Sequence, residues 1–196
     1  MKNLFIIALL GISLGGFAQK IKLLEGDLKP LKGQTSVNSE FTYDGMSVGK
    51  FSNEKDYIDQ KKHDYNEKEA GKGDKWAEQW VEDRKTRYEP QFRELFTKHS
   101  EISASDEKAT YTIIFKTTRT EPGFNVGVMK KPAFIDGELW VVETQNKSKI
   151  IAKISILNVP GSQFTGYDFD TGARLQESYA KAGKELGAFI AKSNKK

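Results

Sequence analysis

The chain has 196 residues, no cysteine and a net charge of +4, from 31 Lys+Arg against 27 Asp+Glu. With 37% hydrophobic and 11% aromatic residues it can build a packed core, which excludes collagen-like, disulfide-stapled and acidic disordered chains. Two histidines and no cysteine exclude a zinc finger and a thiol enzyme, so no metal and no other cofactor is expected.

The first residues read as an export signal. Lys2 is a short positive region, Leu4–Leu14 an apolar stretch, and Gly16 and Ala18 are the small residues that place cleavage after Ala18. The stretch is shorter than the ~20 apolar residues a membrane span needs. Residues 19–196 would then form one domain in the periplasm or outside the cell. No later stretch could span a membrane, and no cysteine follows the cleavage site to carry a lipid anchor.

Ile21–Leu24 reads as a first strand, and Asp27–Gly33, with Pro30, as a connection. Val37, Ser39, Phe41 and Tyr43 alternate, then Asp44-Gly45 supplies a turn before Met46-Ser47-Val48, so Val37–Val48 is expected to be a hairpin. Ser52 or Asn53 can cap a charged helix running to about Lys68, ended by the Gly-rich Ala70–Asp74. Trp76, Trp80, Tyr88, Phe92, Leu95 or Phe96, and His99 form one helical stripe, with Arg84 in its gap and Pro90 as a kink or restart.

Beyond Thr110 the period shortens to two. Tyr111–Lys116, Leu139–Thr144 and Ile150–Leu157 read as strands. Glu121-Pro122-Gly123, Asp136-Gly137, the polar run Gln145–Lys149 and Pro160-Gly161 read as turns. A terminal helix spans about Gly172–Lys192. Leu175, Tyr179, Ala182, Leu186 and Phe189 make its apolar stripe, and Gly183 and Gly187 beside it allow close approach to a sheet. The expected fold class is α+β, an antiparallel or mixed sheet covered by two or three helices including the C-terminal one.

The order of strands after Thr110, the step Asp168-Phe169-Asp170-Thr171-Gly172 and the Ala/Gly-rich terminal helix resemble a group of small periplasmic domains. That group includes the TolB amino-terminal domain and the curli-secretion lipoproteins. Tyr43-Asp44-Gly45-Met46 with Val48-Gly49-Lys50, Trp76–Arg84 and Tyr179–Lys184 also resemble uncharacterised secreted proteins of Gram-negative bacteria. The resemblance implies a helix-covered sheet and a role in envelope assembly or binding. It brings no catalytic residue, and the chain lacks the anchor cysteine of the curli group.

Gly45-Met46-Ser47-Val48-Gly49 matches the nucleophile-elbow pattern, in which a sharp strand-to-helix bend exposes a serine to a histidine. His63 or His99 would be the base. Against this, Asp44-Gly45 fits a hairpin, no helix starts directly after Ser47, and no oxyanion segment is present. His99 suits a helix C-terminus and His63 a charged surface. Arg84 is expected to stack on Trp80 or Tyr88, or to anchor an anionic ligand. Asp168 and Asp170 lack the spacing of a calcium loop, and Asp170 or Thr171 suits a helix cap. The short, scattered lysine pairs do not suit nucleic acid. The reading is a non-enzymatic binding or assembly module for an unidentified envelope protein or small ligand, with Phe124, Phe134 and Trp140 as its binding face. A small serine hydrolase using Ser47 is the alternative.

Overall fold

The computed structural model describes residues 20–126, 129–161 and 170–195. The expected export signal and the Asp168-Phe169 step lie outside these residues. The chain forms β1 (Lys20–Gly26), β2 (Asn38–Thr42), β3 (Ser47–Val48), α1 (Glu54–Asn66), α2 (Lys72–Asp83), α3 (Glu89–Ser100), β4 (Tyr111–Glu121), β5 (Phe124–Val126), β6 (Met129–Lys131), β7 (Phe134–Glu143), β8 (Asn146–Pro160) and α4 (Thr171–Asn194). The fold is α+β. The main sheet has the order β1-β8-β7-β4-β2, with β3 also on β4, and β5 and β6 pair separately. β2 and β3 run parallel to β4, and every other pairing in the sheet is antiparallel, so the sheet is mixed.

The expected Val37–Val48 hairpin does not form. Thr42 pairs with Lys116 and Ser47 with Arg119, so β2 and β3 are successive parts of one edge along β4. Asp44-Gly45 does turn, closed by the Met46 N–H on the Tyr43 carbonyl at 3.2 Å with Gly45 at φ 72°. It folds a protrusion out of the edge instead of reversing the chain. Asp136-Gly137 is no turn at all and lies within β7. A Cβ on Gly137 would sit 2.8 Å from the Phe115 ring, so glycine is there to admit that ring. The β7–β8 reversal is tighter than the polar run suggested, because Glu143 pairs with Asn146.

The helices follow from their ends. Asn53 caps α1 by accepting the Asp56 N–H at 2.9 Å, and Asp170 caps α4 by accepting that of Gly172 at 2.8 Å. α2 and α3 form one rod through a π-helical segment, Arg84–Tyr88, in which the Glu89 N–H reaches the Arg84 carbonyl. Pro90 explains the widening. It has no N–H for the Thr86 carbonyl, and its ring would crowd that group in a regular α-turn. Trp80, Tyr88, Phe92 and Phe96 of the expected stripe are all buried.

α3 and α4 cover one sheet face. Phe115 on β4 meets Phe92 at 4.8 Å and Tyr179 at 5.9 Å between ring centroids, and the Tyr179 hydroxyl bonds Thr117 Oγ1 at 2.7 Å. The glycine face of α4 points elsewhere than expected. Gly183 lies against the Phe92 backbone and Gly187 against that of Phe96, so the small residues admit α3 and not the sheet.

Candidate functional site

On the sheet face away from α3 and α4, alternation along β7 places Phe134, Asp136, Glu138 and Trp140 in one row, opposite buried Ile135, Leu139 and Val141. Lys116 on β4 and Lys153 on β8 flank this row, with their ammonium groups 5.6 and 5.0 Å from the Trp140 ring centre. The Trp140 indole N–H donates to Glu138 Oε2 at 2.7 Å. Trp140 is thus half-buried in mid-strand, not beside a turn.

The row ends in a cleft of about 420 Å³ lined by Arg119, Glu121, Lys131, Phe134, Asn158 and Pro160, with Pro132 and Ala133. Its floor is a cross-strand set, because Phe134 pairs with Glu121 on β4 and with Pro160 on β8. Two irregularities shape it. The β4–β7 register shifts between Thr117 and Arg119, and the β7–β8 register between Ile135 and Gly137. Asp136 therefore has no Cα partner on β8, and its Oδ1 accepts the Asn158 N–H at 2.6 Å. Asn158 adopts φ 55°, a left-handed conformation that asparagine tolerates better than most residues.

The charges in the cleft are unequally matched. Both Glu121 oxygens are used, one by Lys131 Nζ at 2.5 Å and the other by the Gly123 N–H at 3.1 Å. Arg119 stacks its guanidinium 4.5 Å from the Phe134 ring centre and meets Asp136 only at 3.5 Å. Its side chain is 47% exposed, and no hydrogen bond among the described residues takes up its five N–H donors. The cleft thus offers a planar cation, held in place by a ring, above an apolar floor.

The other expected residues lie apart. Phe124, on β5, is 43% exposed and outside the cleft lining. Arg84 is no open anion anchor. It forms a close ion pair with Glu54, which also accepts the Trp80 indole N–H at 2.5 Å, and it lies 4.1 Å from the Tyr43 ring centre, so its stacking partner is Tyr43 and neither Trp80 nor Tyr88. Ser47 sits on the β3 edge, followed by Gly49 at φ 58° and a turn before α1. His63 is exposed on α1 and lies 3.3 Å from Glu67, and His99 is in the last turn of α3. No hydrogen bond among the described residues joins Ser47 to either histidine. No group of three or more His, Asp or Glu placed to hold a metal occurs among the described residues.

The sequence reading named Phe134 but missed Arg119, Glu121, Lys131 and Asn158. A charged residue in mid-strand between Thr117 and Thr120 was the available signal for Arg119. Its meaning depends on a register shift that no local pattern reveals.

No protein-family model matches the chain, and no curated protein matches it. Among solved structures it is similar to the PelC dodecamer of Paraburkholderia phytofirmans, with 9% identity and a TM-score of 0.42 over 87% of this chain and 99% of that one. A Xanthomonas campestris protein of the DUF330 family is similar with 8% identity and a TM-score of 0.36, over 83% of this chain and 90% of that one. No helix among the described residues is long and apolar enough to cross a membrane.

Proposed function

We propose that residues 19–196 act as one non-enzymatic binding domain in the periplasm or outside the cell, and that the sheet-face cleft takes a ligand carrying an anionic group on an apolar body. The apolar stretch Leu4–Leu14 with Gly16 and Ala18 supports the location. The observation that carries the ligand class is Arg119, stacked on Phe134 and nearly half exposed over a cleft of about 420 Å³. That volume falls within the range of small-molecule sites, ~300–1,000 Å³. A carboxylate or phosphate would meet the guanidinium edge, and the apolar body would lie on Phe134, Pro132 and Pro160.

The test is calorimetric titration with 3-phenylpropionate and with neutral 3-phenylpropanol. Preference for the acid, weakened about 10- to 100-fold in Arg119→Gln, supports the reading, since hydrogen bonds to charged groups contribute ~1.5–3 kcal/mol. Equal binding of the two compounds, or an unchanged Arg119→Gln, contradicts it. The hydrolase reading gains no support from Ser47, which stands at a sheet edge without a histidine partner.

A further inference from the structure

A second cavity lies where α2 meets the start of α4. It measures about 200 Å³ and is lined by Tyr65, Trp76, Trp80, Gln79, Asp83 and Asp170, together with Thr171 and Gly172. The three aromatic rings form one packed group. Trp76 lies 5.7 Å from both Tyr65 and Trp80, and its ring is stacked on that of Trp80. The Trp80 indole is fixed from behind by its bond to Glu54.

Opposite the rings stand two carboxylates. Asp83 is 4% exposed, accepts from Gln79 Nε2 at 2.6 Å and lies 3.1 Å from Arg87. Asp170 also draws on Arg87, at 2.6 Å. Two carboxylates therefore share one guanidinium, and among the described residues no lysine or arginine lines the cavity. The ammonium groups of Lys61 and Lys68 lie over the Tyr65 ring at 5.7 and 5.9 Å, so one ring of this group already attracts cations within the protein itself. The packing leaves no slack at the carboxylates, because a Cβ on Gly172 would fall 2.2 Å from Asp83 Oδ2.

We propose that this cavity binds a compact organic cation, an alkylammonium about the size of choline. Aromatic faces attract a cation through their quadrupole, and quaternary ammonium ligands are the well-known occupants of aromatic cages. The surplus carboxylate charge supplies the counter-ion, and the volume, below the ~300 Å³ of drug-sized sites, suits a ligand of a few heavy atoms. Two carboxylates beside three aromatic rings suit an organic cation better than a metal ion, and no group of three or more His, Asp or Glu placed to hold a metal occurs among the described residues.

The test follows tryptophan fluorescence of the protein during titration with choline and with 3,3-dimethyl-1-butanol, the uncharged carbon analogue of the same shape. The expected result is saturable quenching by choline, at least tenfold weaker response to the alcohol, loss of the choline response in Trp76→Leu and its weakening in Asp170→Asn. Trp140→Phe, on the other sheet face, keeps the response. Should Trp76→Leu fail to fold, Asp170→Asn decides, since that side chain is 52% exposed. No saturable quenching by choline, equal response to both compounds, saturation by a neutral monosaccharide alone, or a choline response lost only in Trp140→Phe overturns the proposal. None of these outcomes depends on Arg119, so the sheet-face cleft is tested separately.

Discussion

Replacing Gly183 with alanine sets two effects of opposite sign against each other. In an isolated helix the change stabilises by ~1 kcal/mol, because glycine is the poorer helix former. Here the added methyl would stand 2.2 Å from the Phe92 carbonyl oxygen and 3.0 Å from its carbonyl carbon and Cα, roughly 1 Å inside ordinary contact with the oxygen. These are backbone atoms of α3, so no side-chain rotation relieves the overlap. The two helices must part, and Phe92, fully buried against Phe115, moves with them. Overpacking of this kind costs ~1–3 kcal/mol. Because the helix-propensity gain offsets part of it, the net loss should be up to ~2 kcal/mol, or several degrees in Tm for a chain of this length. Gly187→Ala should cost less, since its nearest contact is 2.7 Å from the Phe96 carbonyl oxygen. Lys184→Ala, exposed on the same helix, should stay within ~0.5 kcal/mol. Urea unfolding of the three variants gives the order. A Gly183→Ala protein more stable than the parent would refute the close α3–α4 contact.

Three further outcomes are expected. Tyr88→Phe should raise stability by up to ~1–3 kcal/mol, because the Tyr88 hydroxyl is buried without a hydrogen-bond partner among the described residues while the ring stacks on Tyr179 at 4.9 Å; a lower urea midpoint would show that the hydroxyl is satisfied. Burial alone would raise the Asp170 carboxyl, but hydrogen bonds from Arg87 and the Gly172 N–H outweigh it and hold the group below its ordinary 3.8. Its contribution is therefore complete above that value and lost as pH falls through the lower folded value, so Asp170→Asn should flatten the acid side of the stability curve, and an unchanged curve would count against the Arg87 link. Protein recovered from cell envelopes should begin at Gln19 by intact mass, and recovery of the uncleaved chain only in membranes would contradict export as a free domain.

The elements that were legible in the sequence are those whose cause is local. The Asn53 cap and the aromatic stripe from Trp76 to Phe96 each depend on residues within a few turns of one another; the expected Ala70–Asp74 break is shorter, since α2 already starts at Lys72. Asp44-Gly45 was legible as a turn but not as a hairpin, because pairing of its flanks was decided by β4, about 70 residues later. Asp136-Gly137 carries the same local signal and adopts the opposite role, since Gly137 answers to the Phe115 ring and Asp136 to the irregularity at Asn158. The glycines of α4 announced a close contact without naming α3 as the partner. The cleft was the least legible feature. Arg119, Phe134 and Asn158 are brought together by two register shifts across three strands, with Lys131 added from β6, and register is a property of the assembled sheet.

The central claim, that the chain works by binding at the sheet face beyond β4 and β7, is tested most directly by amide shift mapping in a nitrogen-15 correlation spectrum. With 3-phenylpropionate added, the account predicts dose-dependent shifts concentrated at Arg119, Lys131, Phe134 and Asn158, with α3 and α4 unaffected. Shifts confined to the β3 edge around Ser47, or no saturable shifts at the cleft, would contradict it.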